Sequence, residues 1–367
     1  MGHIDAKAGI VDLLCSLVNT PSVSGNEAAL ADEVQRELES CSWLQVTRVS
    51  NTVVARTQLG RERRVVVAGH LDTVPVADND SALRVAAGGT LPTGERVDDD
   101  VVFGLGSCDM KGGVAVGLST AVSVTAPVHD VTYIFYECEE VDSARNGLTL
   151  LAAQHPELLA GDAAVLLEPS NAAIEAGCQG TLVATVRAAG VRAHSARSWR
   201  GENAIHALLP ALQVLADYQP RRVMVDGLEY REGMNAVRLA AGVANNVIPD
   251  EAQLTVNYRY APTTSPVEAE AHVRALFSDF EVVVVDNAGG ALPGLDRIGD
   301  LVALCDGNVA PKFGWTDVAR FSAMGVPAVN MGPGDPSLAH ARNEHVAISQ
   351  VYRCREVLAA WLTGVSA

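Results

Sequence analysis

Arg64-Val65-Val66-Val67-Ala68-Gly69-His70-Leu71-Asp72-Thr73-Val74-Pro75 is the stretch from which the fold follows. Its first half is apolar without alternation, as expected of a strand buried on both faces, and such strands belong to sheets covered by helices. Its second half turns polar at once, with His70 and Asp72 two residues apart. Outward from here, strand and helix signals alternate. Helical spacing covers about 5–19 and 25–40, and strand-like runs lie at 45–56 and 101–103. A helix starts near 111, a strong strand fills 131–138, and a helix near 145–154 precedes a strand at 163–167. These signals predict an α/β domain.

Near residue 179 the pattern changes. Thr181 to Ala189 and Ala252 to Tyr260 alternate like half-exposed strands, with helical segments at about 202–219 and 265–278. That combination reads as an α+β unit with its helices on one face. After the glycine-rich stretch from Asn287 to Gly294, helix and strand alternate again up to a helix at about 348–363. The expectation is one discontinuous α/β domain, 1–178 and 287–367, interrupted by an inserted α+β domain, 179–286. Two domains also suit 367 residues at about 150 residues each.

Composition narrows the function. With 48% apolar and 19% charged residues, global disorder is excluded. Acidic residues outnumber basic ones 44 to 27, a net charge of −17, and no basic block offers to neutralise phosphates. Nucleic acid and anionic membrane surfaces are therefore not expected partners. The seven cysteines are scattered without a CxxC pair, which reads as reduced thiols in a cytoplasmic protein. Near the N-terminus, Asp5, Lys7 and Asp12 interrupt the apolar spacing, unlike a signal peptide. The uncharged stretch from Gly112 to Val128 falls short of the about 20 residues a membrane span needs.

Open α/β sheets place ligands at the carboxyl ends of their strands. Four strand ends here collect metal-type donors: His70 and Asp72, then Asp109, then Glu139-Glu140, then Glu168, and His340 follows near the C-terminus. Each alone could be a satisfied structural histidine or a solvated turn. Gathered behind strands of one domain, they point to a site for Zn²⁺ or a neighbouring first-row metal. HExxH, the P-loop and the G-x-S-x-G elbow do not occur in the sequence. Cys108 beside Asp109 is a candidate nucleophile, but no histidine is identifiable as its activator.

The motifs Gly69-His70-Leu71-Asp72-Thr73-Val74-Pro75, Asp109-Met110-Lys111-Gly112, Glu139-Glu140, Glu168-Pro169-Ser170 and His340-Ala341-Arg342-Asn343-Glu344 stand in the order of the M20 family. The chain resembles these di-zinc aminoacylases and peptidases over nearly its whole length. Longer runs, such as Glu175 to Gly180, Arg192 to Trp199, Gly242 to Pro249 and Lys312 to Asp317, point within the family to hydrolysis of a succinyl amide on a diaminopimelate. Other amidohydrolases of the family, such as an acetylornithine deacetylase or a dipeptidase, and a metal-dead binding protein are the alternatives.

The resemblance implies that His70 and Glu168 bind one zinc, Glu140 and His340 the other, and that Asp109 bridges them, with Co²⁺ as a substitute. Asp72 would orient the His70 imidazole. Glu139 would be the general base, since neighbouring side chains leave an extended strand on opposite faces and Glu140 is already a ligand. His345 rivals His340 by sequence alone; the resemblance selects His340. The inserted domain would be a lid and dimerisation domain, with His194 at the oxyanion and Asn245 and Arg259 on the carboxylate of a small anionic substrate. A homodimer through that domain is expected. Two places depart from the family pattern: Ser107-Cys108, and the loop from Asp80 to Val97.

Overall fold

The structure, a computed structural model, describes residues 4–365. It divides into two compact units, the first comprising Met1–Ala176, Gly294–Ala310 and Arg320–Ala367, the second Gly177–Pro293 and Pro311–Ala319. The second unit thus recruits a short later segment that the sequence reading assigned to the α/β domain. The physical reason is hydrogen bonding: Gln179 N–H donates to Lys312 O at 3.3 Å, and Trp315 Nε1 donates to Gly289 O at 3.0 Å.

The first unit is built on an eight-stranded sheet: β1 (Gln45–Val49), β2 (Thr52–Arg56), β3 (Arg64–His70), β4 (Asp130–Tyr136), β5 (Ala163–Pro169), β6 (Ile174–Ala176), β7 (Val309–Pro311) and β8 (Ala328–Gly332). Their spatial order is β1-β2-β4-β3-β5-β8-β6-β7. The central strands β4, β3, β5 and β8 run parallel, so their carboxyl ends line up on one edge. All seven residues of β4 and of β5 are buried, in keeping with cover on both faces.

The run 45–56 is a hairpin rather than one strand. It turns between Val49 and Thr52, where Ser50 takes a φ of 55°. Helix Lys111–Ser123 is buried from Lys111 to Val122. It lies against β5 because glycine faces the strand: a Cβ on Gly113 would fall 2.1 Å from Leu167 O. The uncharged stretch is therefore core as far as Val122, and among the described residues no helix is long and apolar enough to cross a membrane. The loop from Asp80 to Val97 folds onto its own small cluster of Val85, Leu91, Val97, Val101 and Phe103.

In the second unit an antiparallel sheet has the order Gly233–Ala241, Glu251–Tyr260, Gly180–Ala189, Glu281–Ala288. Leu182, Ala184 and Val186 alternate inward and share one core with Leu254, Val256 and Tyr258. The helices contribute Ala204, Leu208, Ala211, Ala269, Val273 and Phe277 to that same core, which places them on one face. The expected helix 202–219 is two pieces, Ala204–Ala207 and Leu209–Asp217, because Pro210 starts the second at a position where its missing N–H costs nothing. Helix Pro266–Leu276 opens with a capping box between Ser265 and Glu268.

Candidate metal centre

The parallel strands deliver their ligands by register. His70 is the last residue of β3 and pairs with Tyr136 at the end of β4; Glu168 stands at the end of β5. Asp109 precedes helix Lys111–Ser123, Glu139 and Glu140 follow β4, and His340 lies in the loop after β8. Three trios of donor atoms, each within 4.8 Å of one another, occur here: His70 with Asp109 and Glu168, Asp109 with Glu140 and His340, and His70 with Glu139 and Glu140. The first two share Asp109.

The distances are short. His70 Nε2 lies 3.0 Å from Asp109 Oδ1, while His340 Nε2 lies 2.8 Å from Glu140 Oε1 and 3.5 Å from Asp109 Oδ2. Such a set of imidazole and carboxylate donors suits zinc and its first-row neighbours. Its electrostatics favour positive charge as well. Asp109 and Glu140 lift the His340 imidazole to about 10. Burial opposes a charged His70, yet Asp109 and Asp72 hold its pKa well above the usual value. Burial would raise Asp109, but His340 and His70 hold it well below the carboxylate range. The donors therefore fit a cation.

The ring of His70 is held by Asp72 in a way the sequence did not reveal. Its Nδ1 sits 3.0 Å from the backbone carbonyl of Asp72 and 3.5 Å from the carboxylate. A proton on Nδ1 leaves the Nε2 lone pair facing Asp109 and the cation site. The Asp72 carboxylate, fully buried, has shorter contacts elsewhere. It accepts the Ser24 hydroxyl at 2.7 Å and the backbone N–H groups of Glu139 and Glu140 at 2.9 and 3.1 Å.

Those two amides belong to a turn, which corrects the argument from opposite faces of a strand. β4 ends at Tyr136 and Cys138 takes a φ of 57°, so Glu139 and Glu140 both offer an oxygen within 4.8 Å of His70. A carboxylate at 139 is thus beside the donor set for reasons of turn geometry, not of strand pleat. His345 lies on strand His345–Ala347 with Nδ1 2.6 Å from Asn343 O, and it joins none of the trios.

Cys108 is fully buried, with Sγ donating to Asp335 O at 3.2 Å. Burial and the nearby Asp109 push its thiol well up, so the protonated form dominates and a nucleophilic role loses its support. Glu344, also buried, accepts the N–H groups of Cys108 and Asp109 at 3.0 and 2.9 Å. Burial raises its carboxyl to about 7, against those amides.

The remaining expected residues belong to the second unit. His194 ends strand Ala193–His194, is exposed, and accepts the Ala196 N–H on Nδ1 at 3.1 Å. Asn245 is exposed in the turn before strand Val247–Ile248. Arg259 sits half-buried on strand Glu251–Tyr260, its Nε donating to Asn257 Oδ1 at 3.2 Å.

A profile of peptidase family M20/M25/M40 matches residues 66–364. The chain belongs to the M20 peptidase family. Its M20 relatives include the succinyl-diaminopimelate desuccinylase of Corynebacterium glutamicum, 47% identical over 373 residues, which cover 98% of each chain. A Mycobacterium tuberculosis protein provisionally given that name is 47% identical over 366 residues, 98% of this chain and 100% of that one. Among solved structures, a Bacillus subtilis dinuclear metal-binding peptidase of the M20 family superposes with a TM-score of 0.67 at 16% identity, covering 97% of both chains. As an M20 member the protein is a metal-dependent amidohydrolase.

Proposed function

We propose that the protein hydrolyses N-succinyl-LL-2,6-diaminopimelate to succinate and LL-2,6-diaminopimelate, in the cytoplasm. Two trios meeting at Asp109 carry the chemical half of this reading. The substrate half is supported by 47% identity, along nearly the whole chain, to the desuccinylase of Corynebacterium glutamicum. Seven unbridged cysteines, six of them buried, suit a reducing compartment.

His70 and Glu168 would hold one zinc and Glu140 and His340 the other, with Asp109 between them and Co²⁺ able to substitute. Such a pair, when bound, lowers the pKa of water and polarises a carbonyl oxygen. Glu139 takes a proton from the attacking water as its oxygen bonds to the succinyl carbonyl carbon. It then gives that proton to the amine nitrogen as the C–N bond breaks. Asp72 supports this twice, orienting His70 through its carbonyl and fixing the Glu139 turn through its carboxylate. Because His194 accepts a hydrogen bond on Nδ1, its neutral form carries the proton on Nε2, the donor an oxyanion requires. Arg259 and Asn245 are assigned to a substrate carboxylate, where a planar guanidinium fork binds well. The second unit has 10 Arg and no Lys between Gln179 and Asp286, against 12 acidic residues, so it carries little of the net charge of −17 and suits an anionic ligand.

The same unit is assigned the role of lid and dimer contact. Among the described residues, strand Gly233–Ala241 pairs on one side only and exposes Val237 and Leu239, an edge open to a second copy.

A substrate panel tests the reading. N-succinyl-diaminopimelate should turn over well above N-acetylornithine and dipeptides, a chelator should abolish turnover, and Zn²⁺ or Co²⁺ should restore it. Faster cleavage of acetylornithine or a dipeptide would move the protein to another substrate within the family.

A further inference from the structure

The turn Gly104–Asp109 presents the proposed bridging carboxylate, and a single residue from the C-terminal part of the chain holds it at both ends. Gly104 N–H donates to the backbone carbonyl of Glu344 at 3.1 Å, and Cys108 and Asp109 N–H both donate to Glu344 Oε1 at 3.0 and 2.9 Å. Glu344 is 1% exposed, so its carboxylate is held by protein donors rather than by bulk water. Four residues before it stands His340, whose φ of 64° turns its ring toward Glu140 and Asp109. Between the two, Glu344 N–H closes a turn onto Ala341 O at 3.1 Å, which fixes how far the histidine can lie from the clamp.

We propose that Glu344 is a positioning residue for the second metal of the pair. It ties the turn carrying Asp109 to the segment carrying His340, and so sets the spacing of two of the three donors in the trio Asp109, Glu140 and His340. The inference rests on the metal-ligand reading above. The trio His70, Asp109 and Glu168 depends on it less, because two of its members are strand-end residues placed by sheet register. Loss of the clamp should therefore divide the two sites rather than weaken both equally.

The charge and shape of Glu344 are separable. Glu344→Gln keeps one oxygen that can accept from Cys108 and Asp109 but removes the negative charge; Glu344→Ala leaves both amides without a partner. Outer partners of metal ligands typically matter by about 10- to 100-fold in affinity. Titration of metal-free protein with Co²⁺, followed by calorimetry and by the visible spectrum of the bound ion, reads the two sites separately. The expected result is a wild type that binds two ions. In Glu344→Gln one of the two should weaken by about tenfold, and in Glu344→Ala by about a hundredfold, with the other site within about threefold of wild type. His340→Ala, which removes a donor of the same trio, should weaken the same site and reproduce its spectral change.

Unchanged affinities and spectrum in Glu344→Gln, with only a lower melting temperature, would overturn the proposal and leave Glu344 a purely structural buried acid. Equal weakening of both sites would overturn it too. A wild type that binds no pair of ions would instead sink the metal-centre reading itself, whatever Glu344 does. Should Glu344→Ala fail to fold, Glu344→Gln, nearly the same shape, still decides.

Discussion

Glu139 is the residue on which the proposed chemistry turns. Its backbone N–H is held 2.9 Å from Asp72 Oδ1, and a side-chain oxygen lies within 4.8 Å of donor atoms on His70 and Glu140. Glu139→Gln preserves the shape but cannot take a proton. Turnover should fall by about 10²–10⁴-fold, the usual contribution of a general base, while bound metal per chain stays at the wild-type value. Metal analysis beside steady-state kinetics checks both; near-wild-type turnover would remove Glu139 from that role. At this scale the sequence disclosed which residue types were present but not how they were held. The closely spaced pair His70 and Asp72 was visible. That the Asp72 carbonyl would take the imidazole while its carboxylate took two amides was not, because backbone acceptors leave no mark in residue identity. Glu344 was visible only as part of a motif, since its partners are N–H groups any residue would offer.

Among elements, strand β4 shows how a buried carboxylate can fasten a loop. At its first residue, Asp130 accepts the Thr57 hydroxyl and Leu59 N–H at 2.8 Å each and Arg61 N–H at 2.9 Å. Burial alone would raise its carboxyl, but these donors hold it below the usual range. A carboxylate with a depressed folded pKa stabilises the protein fully above the unfolded value of about 3.9, and this contribution fades as pH falls through the folded pKa. Asp130→Asn should thus cost about 2 kcal/mol near neutral pH, and the gap from wild type should narrow below about pH 4. Denaturant melts at several pH values measure it; a gap that does not change with pH would show that the charge is unimportant. The elements themselves were largely legible, because unbroken apolar runs such as Val65 to Ala68 and alternating ones such as Leu182 to Val186 differ in period. Turns were less so. The hairpin at Ser50 and the bend at Cys138 rest on positive φ at residues other than glycine, which composition does not announce.

For the whole molecule, the exposed edge strand of the second unit makes assembly testable. Leu239→Lys adds a charge to an outer strand that is 47% exposed at this position, so the isolated chain should tolerate it. If that edge seats a second copy, the variant should sediment as a monomer at concentrations where the wild type is a dimer. Two dimers of equal stability would place the contact elsewhere. The discontinuous plan was foreseen from the change of period near residue 179, whereas the recruitment of Pro311–Ala319 was not. That segment joins by main-chain and single side-chain hydrogen bonds, which have no hydrophobic signature.

Glu140 and His340 touch at 2.8 Å across 200 residues of sequence. A chain made from its N-terminus at about 5–20 residues per second produces that histidine roughly 10–40 s after the glutamate. Through the interval, the carboxylates of Asp109 and Glu140 exist without the imidazole that later answers them. The trio of Asp109, Glu140 and His340 is therefore completed among the last events in the making of the chain, and a nascent chain that ends before His340 should offer a cation only the trios that contain His70.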